Sequence, residues 1–127
     1  MRHVTSAMLV IVGIIHLLPL PGAFGADRLT RLYGLALTDT SLVLLMRHRA
    51  VLFGMLGLFL LFAAFRPSVQ PMALTAGFIS IVSFLWLAWP AGAHNAQIAR
   101  VFDADVFALG CLLLAAGAYL FTAFRSQ

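Results

Sequence analysis

The chain has 127 residues, 63% hydrophobic and 9% charged, with eight Lys or Arg, four Asp or Glu and a formal net charge of +4. Soluble globular domains average about 45–50% apolar and about 25% charged residues, so an ordinary soluble domain and a disordered chain are excluded; a disulfide scaffold is excluded too, because Cys111 is the single cysteine. All the cations are Arg, scattered between apolar stretches instead of gathered in one stripe, which argues against a nucleic-acid partner despite the basic balance.

A helix that crosses the bilayer needs about 20 apolar residues. Four stretches qualify, at about 4–20, 40–65, 72–89 and 104–124. The first is closed by Pro19 and Pro21, the second by Arg66-Pro67, the third by Pro90-Ala91-Gly92, and the fourth ends at Arg125. The expected fold is all-α: a polytopic membrane protein in which residues 1–127 form one four-transmembrane-helix bundle. The first stretch has an alternative reading as a signal peptide, with Met1-Arg2-His3 before it and the small residues Pro21-Gly22-Ala23 after it. The rest of the chain is equally membranous, so a retained helix is the preferred reading. It gives an even count, with both termini on one side.

The longer connections, about 21–39 and 90–103, then share the face opposite the termini, and Arg66–Pro71 is a tight turn on the terminal face. Asp27 is the expected N-cap of a short amphipathic helix with Leu29, Leu32, Tyr33 and Ala36 on one side and Arg28 and Arg31 on another. Ala93–Phe102 reads likewise, with Ile98, Val101 and Phe102 apolar and His94, Asn95, Gln97 and Arg100 polar. Both are expected to lie in the headgroup layer as interfacial helices. The terminal face carries Arg2, Arg66 and Arg125, and the loop face five Arg and all four Asp. Counting Lys and Arg alone favours a cytoplasmic loop face; with Arg47 taken as paired inside the bundle the counts become nearly even, and the preferred reading has cytoplasmic termini.

The second helix carries most of the functional information. The stretch from Ala50 to Phe65 spans only about 24 Å at about 1.5 Å per residue, against about 30 Å of hydrocarbon. The helix must therefore continue back through Arg47-His48-Arg49, which sit near the loop-face boundary. At about 100° per residue Arg47 shares a face with Ala50, Gly54, Gly57 and Leu58, a small-residue stripe that lets helix backbones approach. Arg47 is therefore expected to point inward and Arg49 to snorkel outward beside Leu52, Phe53 and Leu56.

The same projection groups His16 with Gly13, Val12, Leu9 and Thr5 on the first helix, and Asp103 with Gly110, Leu114 and Gly117 on the fourth. Ala73, Ala76, Gly77, Ser80 and Ser83 form a stripe on the third, where Trp86 and Trp89 mark the aromatic belt. His16, Arg47, His48 and Asp103 are thus expected to converge at the loop-face end, with Asp39, His94, Asn95 and Asp105 nearby. Ionised groups at membrane depth are costly, which makes them functional candidates. Each also has a structural reading. Arg47 with an Asp would pin two helices, Asp103 and Asp105 would cap the fourth helix, and Asp39 would cap the second. His16 would be an interhelical hydrogen-bonder, and His48 and His94 solvated interface residues.

Metal ligation would call for paired His or a His/Cys cluster, and no such spacing is present; no metal or cofactor is expected. The lone cysteine excludes thiol redox exchange, and neither a phosphate loop nor a nucleophile elbow occurs. Small multidrug transporters use an embedded Glu that this chain lacks, and the signatures of small fluoride channels are missing. Ala93-His94-Asn95-Ala96 shares a His and an Asn with the motif of glutathione-using MAPEG enzymes, without its acids and surrounding Arg.

Leu32-Tyr33-Gly34, the run Arg47-His48-Arg49-Ala50-Val51-Leu52-Phe53-Gly54 and His16-Leu17-Leu18-Pro19 resemble those of small bacterial four-helix inner-membrane proteins, DoxX-like in size and layout. The resemblance covers nearly the whole chain. It implies the fold and a bacterial inner-membrane location, and brings no catalytic residue with it.

The preferred functional reading is an accessory binding protein. A pocket of His16, Arg47, His48 and Asp103, with His94 and Asn95 beside it, would hold an amphipathic or anionic ligand such as a lipid or quinone headgroup, with Arg as the fixed cation and His as a switchable donor. The alternatives are a small membrane enzyme using His16 or His48 as general base, and a structural subunit. The expected partners are membrane lipids and, through the small-residue faces, a second copy of the chain or another membrane protein.

Overall fold

The computed structural model describes residues 1–92 and 94–127, and every regular element in it is helical. Helix α1 (Arg2–Leu17) gives way to a 3₁₀ turn at Leu20–Phe24, where Pro19 and Pro21 remove two backbone donors. The short α2 (Ala26–Tyr33) follows. It starts from Gly25 and ends at Gly34, whose left-handed φ of 66° lets its N–H reach the Thr30 carbonyl at 2.7 Å. Asp27, expected as the cap, lies inside the first turn instead, where its charge still suits the helix dipole.

Helix α3 (Thr40–Ala64) opens at Asp39, whose carboxylate accepts the Leu42 N–H at 2.8 Å, as the capping reading required. A 3₁₀ turn at Pro67–Val69 reverses the chain into α4 (Gln70–Ala88). The last helix, α5 (Ala96–Arg125), is capped by Asn95, which accepts the Ile98 N–H at 2.8 Å.

Four segments are long and apolar enough to cross a membrane: Arg2–Phe24, Thr40–Ala64, Pro67–Ala88 and Ala96–Arg125. They match the four expected stretches, with one difference. The second loop holds no separate amphipathic helix, because Ala96–Phe102 forms the first turns of α5; Ala93, where that helix was expected to begin, lies outside the described residues. Nothing breaks the helix between the Asn95 cap and Asp103. The two aspartates expected as caps therefore sit two turns or more inside it.

Helix α1 packs against α3 and α5, and α4 packs against α5 and α3. The α1–α3 contact is close because glycine faces glycine: a Cβ on Gly57 would lie 2.8 Å from the Gly13 carbonyl oxygen, and one on Gly13 would lie 3.0 Å from the Gly57 carbonyl oxygen. Leu9, Val12, Leu60, Ala63, Leu112 and Ala115 fill the centre. The outward faces are apolar too, with Leu44, Leu45, Met55, Phe62, Leu113 and Leu114 all exposed. So much uncovered apolar surface requires lipid or a partner.

The inward face of α5 departs from the expected one. Gly110, Leu114 and Gly117 are exposed, whereas Ala108, Cys111, Ala115 and Ala118 are buried with Asp105. The alanine stripe, not the glycine stripe, supports the tight packing.

Candidate binding site beneath α2

The loop-side end of the bundle contains a cavity of about 380 Å³, roofed by α2. That volume lies in the range of small-ligand pockets. Its apolar walls include Ile15, Leu18, Leu32, Phe53 and Val101. Its polar groups come from four elements: His16 from α1, Arg31 and Tyr33 from α2, Arg49 from α3, and Gln97, Arg100 and Asp105 from α5.

Arg49 is the central cation. Its Nη1 donates to the Tyr33 hydroxyl at 2.7 Å, and its guanidinium carbon lies 4.6 Å from the Phe53 ring centre and 5.4 Å from that of Tyr33. Two aromatic faces thus support the charge. The bond to Tyr33 uses one of five N–H donors. Since Arg49 donates to the Tyr33 oxygen, the phenol keeps its own proton to offer.

Helix α2 is tied down beside this pair. Leu29 is fully buried, and the side-chain amide of Asn95 donates to the Tyr33 carbonyl at 2.7 Å while its oxygen caps α5. One side chain therefore joins the end of α2 to the start of α5, and Tyr33 is fixed at both backbone and hydroxyl.

His16 lies one helical turn deeper. Its Nδ1 is 2.9 Å from the Val12 carbonyl and its Nε2 is 3.2 Å from the Ser80 hydroxyl, with the ring stacked on Phe53 at 5.6 Å between centroids. A carbonyl only accepts, so Nδ1 carries the proton. In the neutral ring Nε2 then accepts from Ser80. The interhelical hydrogen-bonding reading of His16 holds, since it joins α1 to α4.

Asp105 is 7% exposed, lines the cavity, and lies near enough to Arg49 to feel its charge. Arg31 and Arg100 stand on the same cavity and are exposed elsewhere along their length. Three guanidinium groups and a single carboxylate thus line one cavity.

The expected constellation of His16, Arg47, His48 and Asp103 is not what the fold assembles. Arg47 is exposed and its Nε donates to the Ala23 carbonyl at 2.8 Å. It does share the glycine face of α3, but at its level that face meets the 3₁₀ turn at the rim, not the bundle interior. His48 is exposed on α3, and Asp103 is exposed on the outward side of α5. His94 is half-buried beside the Phe102 ring at 6.3 Å, and neither it nor Asn95 lines the cavity.

Arg49, Asp105 and Tyr33 take the places expected of others, and helical geometry accounts for this. The buried arc of α3 runs from Gly54 through Ala50 to Leu60 and Ala63, wide enough to include the stripe Arg49, Phe53, Leu56 and Leu60 at about 100° per residue. Arg49 falls within that arc and Arg47 at its edge. Asp105 shares the buried stripe of Ala108, Leu112 and Ala115. The α5 pattern can be read in the sequence once alanine stripes are weighed with glycine ones.

Among the described residues, no three His, Cys, Asp or Glu side chains come together as a metal site would need. Cys111 is a buried free thiol. Compared with protein-family models, curated proteins and solved structures, the chain matches none.

Proposed function

We propose that this chain is a multi-pass protein of a bacterial inner membrane that binds an amphipathic or anionic ligand in the cavity beneath α2. A lipid headgroup is the favoured ligand class and a quinone headgroup the runner-up. The choice of membrane rests on the Leu32-Tyr33-Gly34 and Arg47–Gly54 elements. The observation that carries the binding reading is an apolar-walled cavity that holds Arg49 on two aromatic rings, with Arg31 and Arg100 facing the same space.

Depth supports a headgroup ligand. From Asp105 to Arg125, α5 rises about 30 Å at about 1.5 Å per residue, the thickness of the hydrocarbon layer. From Arg49 to Arg66 the second spanning segment rises about 25 Å on the same basis. Arg49 and Asp105 therefore lie together at the boundary where phosphate and carboxylate groups of amphiphiles reside. The preceding turns of α5 and the whole of α2 project into the headgroup layer.

The role is accessory binding. A general base at His16 would first have to give up its bond to Ser80, and His48 does not line the cavity. A partner helix has an observation of its own: a Cβ on Gly110 or Gly117 would meet nothing within 4 Å, so a second helix has room to approach there. That contact would lie outside the cavity and is compatible with ligand binding.

Native mass spectrometry of the detergent-extracted protein tests the reading. The wild-type chain is expected to carry a co-purifying amphiphile that Arg49→Gln loses and Arg47→Gln keeps. A wild-type spectrum free of any bound amphiphile, or equal retention in Arg49→Gln, contradicts it.

A further inference from the structure

We infer that the cavity selects a zwitterionic head group, a phosphate monoanion linked to a primary ammonium, with Asp105 receiving the ammonium and Arg49 the phosphate. This rests on the amphiphile reading above and narrows its ligand class. Asp105 is more than nine-tenths buried, yet among the described residues its carboxylate has no hydrogen-bond or ion-pair partner, and its oxygens open onto the cavity. A buried carboxylate costs several kcal/mol unless something donates to it. A purely anionic ligand would add a like charge beside Asp105 and leave it unpaired.

The surrounding groups restrict what the donor can be. With Arg31, Arg49 and Arg100 on the same cavity, a free metal cation meets repulsion and finds one carboxylate where it would need several oxygen ligands. An ammonium tethered to a phosphate avoids both problems. The phosphate takes the open N–H edges of Arg49 and the Tyr33 hydroxyl proton, while the ammonium offers its N–H groups to Asp105. A trimethylated ammonium has no N–H to give, so phosphoethanolamine chemistry is preferred over phosphocholine. Apolar walls at Phe53 and Leu32 would flank the glycerol end of a lipid.

The test uses the full chain, stripped of lipid in detergent micelles and titrated with phosphatidylethanolamine, phosphatidylglycerol or phosphatidylcholine of matched acyl chains, with bound lipid read by native mass spectrometry. The wild type is expected to prefer phosphatidylethanolamine about tenfold over each of the others, the size of one charge-assisted hydrogen bond. Asp105→Asn should erase that preference while Arg49→Gln weakens all three lipids. The comparison among lipids on the wild-type chain stands even where a variant fails to fold. Competition with soluble O-phosphoethanolamine separates the two sources of this chemistry: displacement of bound lipid assigns the site to the free head group, and no displacement assigns it to the lipid, each on top of the same preference. Equal binding of phosphatidylethanolamine and phosphatidylglycerol overturns the inference and leaves the amphiphile reading standing. Binding of none of the three overturns both.

Discussion

The two ends of the bundle are built on different terms. At the terminal end, small residues bring the helices together: Ala63 and Ala73 are fully buried near Leu9, and the Thr5 hydroxyl donates to the Ala115 carbonyl at 3.3 Å. At the loop end, Phe53, Tyr33, Arg49 and His16 line a cavity. The change from small residues to aromatic and charged ones marks where the packed centre gives way to the proposed binding site.

The largest effect that would break this comparison lies in the packed half. Gly57→Leu or Gly13→Leu forces a side chain against the facing backbone carbonyl and should cost about 3 kcal/mol, visible as a lowered or lost cooperative melt. Gly110→Leu and Gly117→Leu meet open space and should change stability of the lone chain by less than about 0.5 kcal/mol. If a second copy docks on that face, they reduce the mass of the assembled species instead. A severe Gly110→Leu phenotype in a monomeric preparation would reverse the assignment of inward and outward stripes.

In the open half the next largest effect falls on ligand retention. Arg49→Gln removes the aromatic-supported cation and should lower retention about tenfold, while Arg47→Gln, which loses only a rim bond to Ala23, should change it less than about twofold. Asn95→Ala then sharpens the role of α2. It removes both the α5 cap and the tie to the Tyr33 carbonyl and should cost about 2 kcal/mol, with faster hydrogen exchange across α2. Tyr33→Phe loses the bond to Arg49 and should cost about 1 kcal/mol. Asp39→Ala removes an exposed cap remote from the cavity and should cost about 0.5 kcal/mol in thermal melts with no change in retention.

Much of the architecture was legible in the amino-acid order because the bilayer length requirement is severe. Four apolar stretches punctuated by Pro, Gly and Arg leave few alternatives, and Asp39 announces its helix by type and position. The site was legible in its chemistry but not in its registers. Glycine draws attention as the helix-contact residue, yet on α5 the glycine stripe faces outward and the alanine stripe inward, which moves the inward carboxylate from Asp103 to Asp105. On α3 two neighbouring stripes are both buried, because the helix contacts α1 on one side and α4 on the other. Projection from one helix cannot reveal that second neighbour, so Arg47 looked inward and Arg49 outward. Asn95, polar and close to the bundle end, resembled a ligand-binding residue, whereas its two bonds are structural.

The central claim is that the arginine facing the cavity beneath α2 is Arg49 and not Arg47. Cysteine labelling tests it most directly, since the native thiol at Cys111 is buried. Arg47→Cys and Arg49→Cys, each in detergent and exposed to a water-soluble maleimide, should differ: rapid modification at 47 whether or not phospholipid is added, and slow modification at 49, where the side chain lies in the cavity beneath α2. Protection at 47 by added phospholipid, with position 49 reacting freely throughout, would contradict the account.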